Sequence, residues 1–404
     1  MIKVLTVKTP EDASEIIRTR FGPLSGAAES LRMGAALGRI LDSDIVADEY
    51  VPGFDRSTVD GFAVIASDTF GCSASMPAVL ALSGEILMGE AANGGISSGR
   101  CVAVSTGGDL PMGTDAVVMV EHTEDYGDGL IGISNPVAPG NNIIFKGDDV
   151  SPGDNVLLAG TQLSPHDVGI LSALGKCTVS VRKKPVVGVI STGDELVEPS
   201  ESPGRGQIRD VNTPMLIAAA IKFGAAPVNY GIIRDESDAL QNAVMQAVRE
   251  CDVVLISGGS SAGLRDLTAR VIESAGEVIF HGIAMKPGKP TILGVIDYKP
   301  VFGLPGHPVA AYFVTELFVR PLIARLMGAD VKRHTTTANI SEAISSNHGR
   351  AEYMAVFLKK DGKAQPIRGK SGLIASLANA DGYICIPRDS EGIPAGESVE
   401  VTMF

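Results

Sequence analysis

The chain has 404 residues, and a prior of ~150 residues per domain predicts two to four domains. Hydrophobic residues make up 45% and charged residues 20%, a composition typical of a globular protein that excludes a disordered one. The net charge of −13 and the absence of tryptophan argue against a nucleic-acid partner, which would need a basic surface or stacking aromatics.

The cysteines and the apolar runs indicate where in the cell the protein is located. The five cysteines include no Cys-x-x-Cys pair, which indicates buried thiols in a reducing compartment rather than disulfides or a zinc site. The N-terminus lacks the apolar core of a signal peptide. The longest apolar run, 309–327, is broken by charged residues and Pro321, so we expect a buried helix, no membrane contact and a cytoplasmic protein.

The sequence pattern of the first half of the chain changes twice. Residues 1–50 look helical, because Leu31, Ala35, Leu37 and Ile40 lie near helical spacing. Residues 51–144 alternate short β-rich runs with glycine-rich turns. The stretch 145–183 is mixed again and resembles neither neighbour. We therefore predict that 51–144 is a β-rich domain inserted into an N-terminal unit formed by 1–50 and 145–183.

A regular α/β pattern occupies 184–330. Apolar runs of strand length alternate with helices, for which Asn212 or Thr213 and Ser237 are candidate caps. Such alternation predicts a parallel sheet covered on both faces. The predicted strands are 186–190, 228–233, 253–257, 278–283, 291–296 and 301–304. Short strands return over 331–404 and predict a small C-terminal β domain.

Unusual residues follow the predicted strands, where open α/β sheets bind ligands. The runs are STGDE at 191–195, RD at 234–235, SGGSSAG at 257–263, KPGKP at 286–290 and GLPGHP at 303–308. Glycine and serine amides at helix N-termini suit a phosphate, and the lysines add positive charge. Carboxylates among these runs offer oxygen ligands for a divalent cation. No Walker A or G-x-G-x-x-G run is present, which argues against a P-loop ATPase or a Rossmann dehydrogenase.

Two further polar loops stand out. Residues 52–64, just before a predicted strand, are either a domain-boundary loop or a functional segment, and residues 105–111 are either a simple turn or a second loop that could bind an oxyanion. The histidines have no metal-ligand spacing, and only His307, inside the Pro-Gly-His-Pro turn, stays a pocket candidate. No activated nucleophile or G-x-S-x-G elbow is evident.

The ordered set of motifs resembles the MoeA-type molybdopterin molybdenumtransferases, which are related to the E domain of gephyrin. The resemblance covers nearly the whole chain. It rests on STVDGFA at 57–63, GDDV at 147–150 with LSP at 163–165, STGDEL at 191–196, SGG at 257–259 with Asp266, KPGKP at 286–290, PGHPV at 305–309, and 369–377 with ADG at 380–382.

The resemblance implies a multidomain α/β plus β fold. Its parts would be an elongated mixed N-terminal region with an inserted β-rich domain, a central molybdopterin-binding three-layer α/β domain and a small C-terminal β-barrel. It also implies a homodimer whose site is shared between the α/β domain of one subunit and the inserted domain of the other. The implied reaction takes adenylylated molybdopterin and molybdate or tungstate, with Mg²⁺, and yields molybdenum cofactor and AMP.

The matched positions imply site residues. Asp60, Glu195, Asp235 and Asp266 would be catalytic, and the last three would bind Mg²⁺. The implied substrate-binding residues are Thr106, Gly193, Asp194, Ser257, Gly258, Gly259, Lys286, Lys289, Pro305, His307, Pro308, Arg368 and Ser371. The chain departs from the family pattern at Ile144 and Phe145, where basic residues are frequent, and at His307, where asparagine is common.

Two alternatives remain open. One is the preceding step, adenylylation of molybdopterin by ATP, against which the extra regions 1–183 and 331–404 argue. The other is a non-catalytic pterin-binding carrier or scaffold, for which the retained carboxylates would be unnecessary. Molybdopterin adenylyltransferase and molybdoenzymes are candidate partners. The sequence does not separate molybdate from tungstate.

Overall fold

A computed structural model describes residues 7–258, 262–331 and 333–404, with the side chains of 262–266 outside that description. The N-terminal unit is assembled from both sides of a long insertion. Strand Ala28–Arg32 pairs antiparallel with Thr178–Arg182, and Ile45–Val46 pairs with Asn155–Leu157. Ser164 is the N-cap of helix Pro165–Ala173, and its side chain forms a capping box with Asp167.

The first fifty residues are less helical than the spacing predicted. Helix Pro10–Arg20 and the short helix Met33–Ala36 are present, but Leu31 lies in a strand and Leu37 is 56% exposed. Pairing with Thr178–Arg182 places the stretch around Leu31 in a sheet, so a long-range partner overrides the local spacing. Helix Pro10–Arg20 packs its buried face against the core of the α/β domain. The domain boundaries themselves stay predictions.

The insertion carries an antiparallel-rich sheet with buried residues on both faces. The short β-rich runs predicted for this region are present as strands. A second pairing, between Arg56–Ser57 and Ile143–Ile144, lies where the chain enters and leaves the insertion. The sheet order is Ala116–Met119, Gly61–Val64, Arg100–Val104, Ala78–Ile86, Leu130–Ile133 and Thr123–Asp125.

The α/β domain has a central sheet whose strands we number β1 to β6. They are β1 (Val186–Thr192), β2 (Ala226–Ile233), β3 (Val253–Gly258), β4 (Glu277–His281), β5 (Ile292–Ile296) and β6 (Lys299–Leu304). Their order across the sheet is β2-β1-β3-β6-β5-β4. The strands β2, β1, β3 and β6 run parallel to one another, as predicted.

The prediction of an all-parallel sheet was wrong at one side, because β5 pairs antiparallel with both β6 and β4. Asp297 and Tyr298, both with positive φ, form the two-residue turn between β5 and β6. Only antiparallel strands can be joined by so short a turn. Since β4 still points the same way as β6, the loop 282–291 leaves the sheet at the same edge as the other strand ends.

Helices cover both faces of this sheet. We number them α1 (Asn212–Lys222), α2 (Ser237–Glu250), α3 (Ala262–Ala275) and α4, which runs through Pro308–Val314, the π-helical Thr315–Val319 and Arg320–Leu326. α1 and α4 pack on one face, and α2 and α3 on the other. Two predicted caps were wrong: the N-cap of α2 is Glu236, and the carboxylate of Asp210 accepts the backbone N–H groups of Asn212 and Thr213.

The C-terminal domain is a closed small barrel. Strand Ala351–Leu358 pairs with Lys363–Pro366 on one side and with Gly382–Ile386 on the other, and Thr335–Ile340 and Ser398–Met403 complete the ring. The barrel packs on α4 through aromatic rings: the centroid of Phe313 lies 5.6 Å from that of Tyr383 and 6.1 Å from that of Phe404. The three-layer domain and this barrel confirm the predicted fold class.

Two predictions about exposure have mixed outcomes. All five cysteines are free, but Cys177 and Cys385 are exposed, so the prediction of buried thiols was wrong for these two. The stretch 309–327 is largely buried within α4, as predicted. No helix in the described part of the chain is long and apolar enough to cross a membrane.

Replacement of Glu316 by alanine is expected to destabilise the α/β domain. Glu316 is fully buried in the π-helical turn of α4, and its Oε1 accepts from Arg320. Its removal leaves the guanidinium, which is 20% exposed, without this partner. Breaking a buried ion pair costs ~3 kcal/mol, so the midpoint of urea unfolding should fall clearly.

The matched control is Glu15→Ala, which removes a half-exposed carboxylate paired with Arg18 on the helix surface. A surface pair contributes little to stability because solvent screens it, so this variant should unfold close to wild type. Equal unfolding midpoints for the two variants would contradict the role given to Glu316.

Candidate functional site

The carboxyl edge of the sheet gathers most of the predicted site residues. β1 and β3 approach so closely at their ends that a Cβ on Gly258 would lie 2.2 Å from the Cγ2 of Thr192, so only glycine fits there. A Cβ on Gly193 would lie 2.9 Å from Glu195 Oε2, which shows that the Glu195 carboxylate folds back against the Gly193 backbone. The glycines therefore let backbone and carboxylate come together at one edge.

Polar contacts join the ends of β1 and β2. The Thr192 hydroxyl donates to Asp235 Oδ1 over 2.5 Å. The Asp235 N–H lies 3.4 Å from Asp194 Oδ1. Asp194 is exposed, whereas Glu195 and Asp235 are half-buried at the rim. The structure therefore brings Asp194, Glu195 and Asp235 together on neighbouring loops, as predicted.

The lysine loop is tied to the barrel. Met285–Lys286 pairs with the barrel strand Ala351–Leu358, and the register sets Lys286 opposite Glu352. Lys286 Nζ lies 2.7 Å from Glu352 Oε1, and Ser346 donates to the other oxygen of this buried carboxylate over 2.8 Å. Lys289 is exposed and has no ion pair within the described residues.

A second connection to the barrel starts at the Pro-Gly-His-Pro turn, where Pro305 is buried and Pro308 is the first residue of α4. His307 Nδ1 lies 2.7 Å from Ser371 Oγ, and the Val309 N–H donates to the Ser371 carbonyl over 3.1 Å. These contacts place Ser371 beside the turn, as the resemblance implied. Arg368, in contrast, is held by Glu342 over 3.1 Å and by the Ala343 carbonyl over 2.8 Å.

Asp60 and Thr106 form a separate pair on the inserted domain. The Thr106 backbone N–H donates to Asp60 Oδ1 over 2.7 Å, and its hydroxyl donates to the same oxygen over 3.0 Å. These bonds favour the ionised form, so they hold the pKa of Asp60 below its ordinary value. Within the described residues, Asp60 Oδ2 has no hydrogen-bond partner, and no hydrogen bond or ion pair joins this pair to the carboxyl edge.

Replacement of Thr106 by valine is expected to raise the pKa of Asp60 toward its ordinary value, because the hydroxyl donor is lost while the backbone N–H remains. A depressed folded-state pKa stabilises the protein above the unfolded pKa, and this contribution is lost as the pH falls through the folded-state pKa. The acid limb of Asp60 titration, followed by NMR of labelled aspartate, should therefore move to higher pH.

Thr123→Val is the matched control, since the Thr123 hydroxyl on the same domain donates to a backbone carbonyl over 2.8 Å and not to a carboxylate. This variant should leave the Asp60 titration in place. The same titration curve for Asp60 in Thr106→Val and wild type would contradict the assigned cause.

The carboxylate chemistry of the edge fits a hard divalent cation. Glu195 and Asp235 follow neighbouring strands, while Asp266 and Gly259 lie outside the residues whose side chains the structure describes. In the described side chains, no group of three His, Cys, Asp or Glu residues is placed to hold a metal. Magnesium is commonly held by one or two carboxylates plus substrate phosphates, so the described residues suffice for that mode.

The sequence reasoning missed residues that support the edge from below. Asn212 and Thr213 were considered only as caps, yet their side chains are buried and bonded to the ends of β3 and β1. Glu352, which holds Lys286, was not singled out. The polar run Asp210 to Thr213 ahead of an apolar helix was the available signal for the first two.

Known proteins match the whole chain. Family models of the MoeA N-terminal region (domain I and II), a probable molybdopterin binding domain and the MoeA C-terminal region (domain IV) match residues 8–175, 188–325 and 337–404. The molybdopterin molybdenumtransferase of Bacillus subtilis (strain 168) is 33% identical over 99% of this chain and 96% of its own length. The protein of the same name from Staphylococcus aureus (strain COL) is 32% identical over 93% and 91%.

Solved structures agree. A molybdopterin biosynthesis MoeA protein from Pyrococcus horikoshii OT3 superposes with a TM-score of 0.89 at 35% identity, covering 98% of this chain and 100% of that one. Another structure, of a molybdopterin biosynthesis MoeA protein from Pyrococcus horikosii, gives a TM-score of 0.84 at 39% identity, covering 98% of this chain and 99% of that one. Sequence and fold coincide along the full length, and the chain belongs to the MoeA family.

Proposed function

We propose that the chain is a molybdopterin molybdenumtransferase, which inserts molybdate or tungstate into adenylylated molybdopterin and releases AMP. The observation that carries the proposal is the carboxyl edge, where Glu195 and Asp235 lie beside glycine-rich loops. Such an edge suits a ligand that carries phosphates and a divalent cation. Relatives named molybdopterin molybdenumtransferase along the full length support the same activity.

The residues of the edge have different proposed roles, which follow from the chemistry of their side chains. Gly258 offers a backbone N–H to the pterin phosphate, with Gly193 allowing close approach, whereas the buried Ser257 hydroxyl is bonded to Asn212 beneath the edge. Lys286 and Lys289 attract the anionic substrates, and Lys286 keeps two further N–H donors while Glu352 accepts one. Asp194 and Asp235 orient the substrate. His307 and Ser371 close the pocket on the barrel side.

The carboxylates of Glu195 and Asp235 suit magnesium, and Asp266, whose side chain lies outside the description, is the third ligand that we propose. When bound, magnesium would offset the negative charge that develops on the phosphoanhydride. The chain's own contribution is then positioning and electrostatics, because the described side chains of the edge include no activated nucleophile. The pairing of Arg368 with Glu342 makes Arg368 the weakest of the proposed phosphate contacts.

We also propose a homodimer in which Asp60 and Thr106 of one subunit complete the edge of the other. The proposal is supported by Asp60 Oδ2, which is free within the described residues, and by the absence there of any bond from this pair to the edge of its own chain. We place the protein in the cytoplasm with soluble substrates. Molybdopterin adenylyltransferase, as supplier of the substrate, and molybdoenzymes, as recipients, are the partners that fit.

The test is AMP release from adenylylated molybdopterin with Mg²⁺, with and without molybdate or tungstate. Release that depends on the oxyanion is expected, and the oxyanion with the higher kcat/KM identifies the metal used. ATP consumption with free molybdopterin would instead favour the adenylyltransferase. Tight pterin binding without any turnover would favour a carrier or scaffold.

A further inference from the structure

A network of buried polar side chains lies directly beneath the carboxyl edge. It consists of Asp210, Asn212 and Thr213 at the start of α1, with Ser191 of β1 and Ser257 of β3, all less than 9% exposed. Burying polar groups is unfavourable unless they are bonded, and a satisfied network fixes one arrangement of the groups that it joins. The network lies under the proposed site, so the strand ends and loops that it holds are the ones that carry the proposed site residues.

Asn212 is the member that connects separate loops. Its Nδ2 donates to Ser257 Oγ over 2.7 Å and to the Gly306 carbonyl over 2.8 Å. One amide therefore ties the end of β3 to the Pro-Gly-His-Pro turn, two segments far apart in the chain. A neighbouring contact of 2.7 Å between Thr213 Oγ1 and Ser191 Oγ ties the end of β1 to the same helix.

The helix start that carries Asn212 is itself held in place. Asp210 Oδ1 accepts the N–H groups of Asn212 and Thr213 over 3.0 and 3.1 Å. The Asn212 side chain is thus fixed at its base and uses both of its N–H donors. Its Oδ1 is buried and has no partner within the described residues. A polar atom left in this state at the rim of a ligand site marks the amide as more than a packing element.

We propose that Asn212 is a positioning residue for the transferase reaction, because it holds the Ser257–Gly258 strand end and the 305–308 turn at one separation. This inference rests on the proposed function only where it is tested by AMP release, and the structural role of Asn212 can be tested without turnover. Asn212 acts through Ser257 and Gly306 and does not need to touch the substrate. Displacements near 1 Å in such loops lower rates by roughly 100-fold in other enzymes.

The experiment compares Asn212→Ala, Ser257→Ala, the double variant and a control, Thr315→Val. Thr315 is fully buried in α4 and its hydroxyl donates to the Ala311 carbonyl over 2.8 Å, so its loss perturbs the same domain away from the edge. We expect kcat/KM for AMP release to fall at least about 10-fold in Asn212→Ala, and the double variant to lose little more. The control should stay within about 2-fold.

A second readout does not require turnover. The Val309 N–H donates to the Ser371 carbonyl in the wild type. Its hydrogen-exchange rate should rise in Asn212→Ala and stay at the wild-type value in Thr315→Val. Unchanged exchange, or faster exchange with kcat/KM within 2-fold of wild type, would overturn the inference. So would equal losses in the control. If wild type itself releases no AMP, the proposed function fails, while the exchange at Val309 still decides whether Asn212 holds the turn.

Discussion

Asp60→Ala is expected to lower oxyanion-dependent AMP release by at least about 100-fold while the protein remains folded, a loss typical of removing one preorganised electrostatic group. Both Thr106 donors bind the same carboxylate oxygen, Oδ1. They fix the direction of the carboxylate and leave Oδ2 available to a substrate or its cation. The same two bonds lower the pKa of Asp60, so its carboxylate stays ionised to a lower pH than an ordinary aspartate does.

Asp68→Ala is a close control for this variant. Asp68 lies on the same inserted domain and also accepts from a hydroxyl and a backbone N–H, those of Ser98 over 2.7 Å and Gly99 over 2.8 Å. Unlike Asp60, it uses both oxygens in these bonds. We expect Asp68→Ala to affect stability and not kcat. A similar fall in kcat for both variants would mean that Asp60 acts only through the fold of its domain.

The carboxyl edge was predictable because its signals are local and repeated. Each apolar run of strand length in the α/β domain is followed within three residues by glycine, serine or a charged residue, and parallel strands bring such ends together. The strand ends at Thr192 and Gly258 confirm this step. The prediction even survived the wrong orientation of β5, since the loop carrying Lys286 connects β4 to β5 on the correct side of the sheet.

The remaining errors come from partners that are distant in sequence. Leu31 joins a strand because Thr178–Arg182 lies beside it, and helical spacing alone could not reveal that. The Asp297–Tyr298 turn lacks the Asn-Gly or Asp-Gly signature that announces a tight hairpin. The roles of Asn212 and Glu352 could not be predicted, because they depend on contacts with Ser257 and Lys286, which lie more than forty residues away in each case.

Lys286 shows how the barrel takes part in the proposed site. Its ammonium is held by a buried carboxylate of the barrel, and His307 is held by Ser371 of the same domain. The two loops that we propose to face the anionic substrates are thus bonded to the barrel as well as to the sheet. The carboxyl edge therefore lies at a junction of two domains, and in the proposed function a third domain supplies Asp60.

Which copy of the chain supplies Asp60 can be measured by subunit mixing. Equal amounts of inactive Asp60→Ala and Glu195→Ala are expected to recover about a quarter of wild-type AMP release after subunit exchange. Random exchange makes half of the dimers hybrid. Each hybrid has one edge with both Asp60 and Glu195 intact and one edge with neither.

The design separates a shared site from a site within one chain. If Asp60 served the Glu195 of its own chain, every edge in the hybrid would lack one carboxylate, and mixing would restore nothing. Subunit exchange itself is followed with differently tagged subunits. The control is a mixture of Asp68→Ala with Glu195→Ala, in which the Asp68→Ala subunits should already be active before mixing. Confirmed hybrids without activity would therefore count against the shared site, while leaving the roles of Asp60 and Glu195 to the single variants.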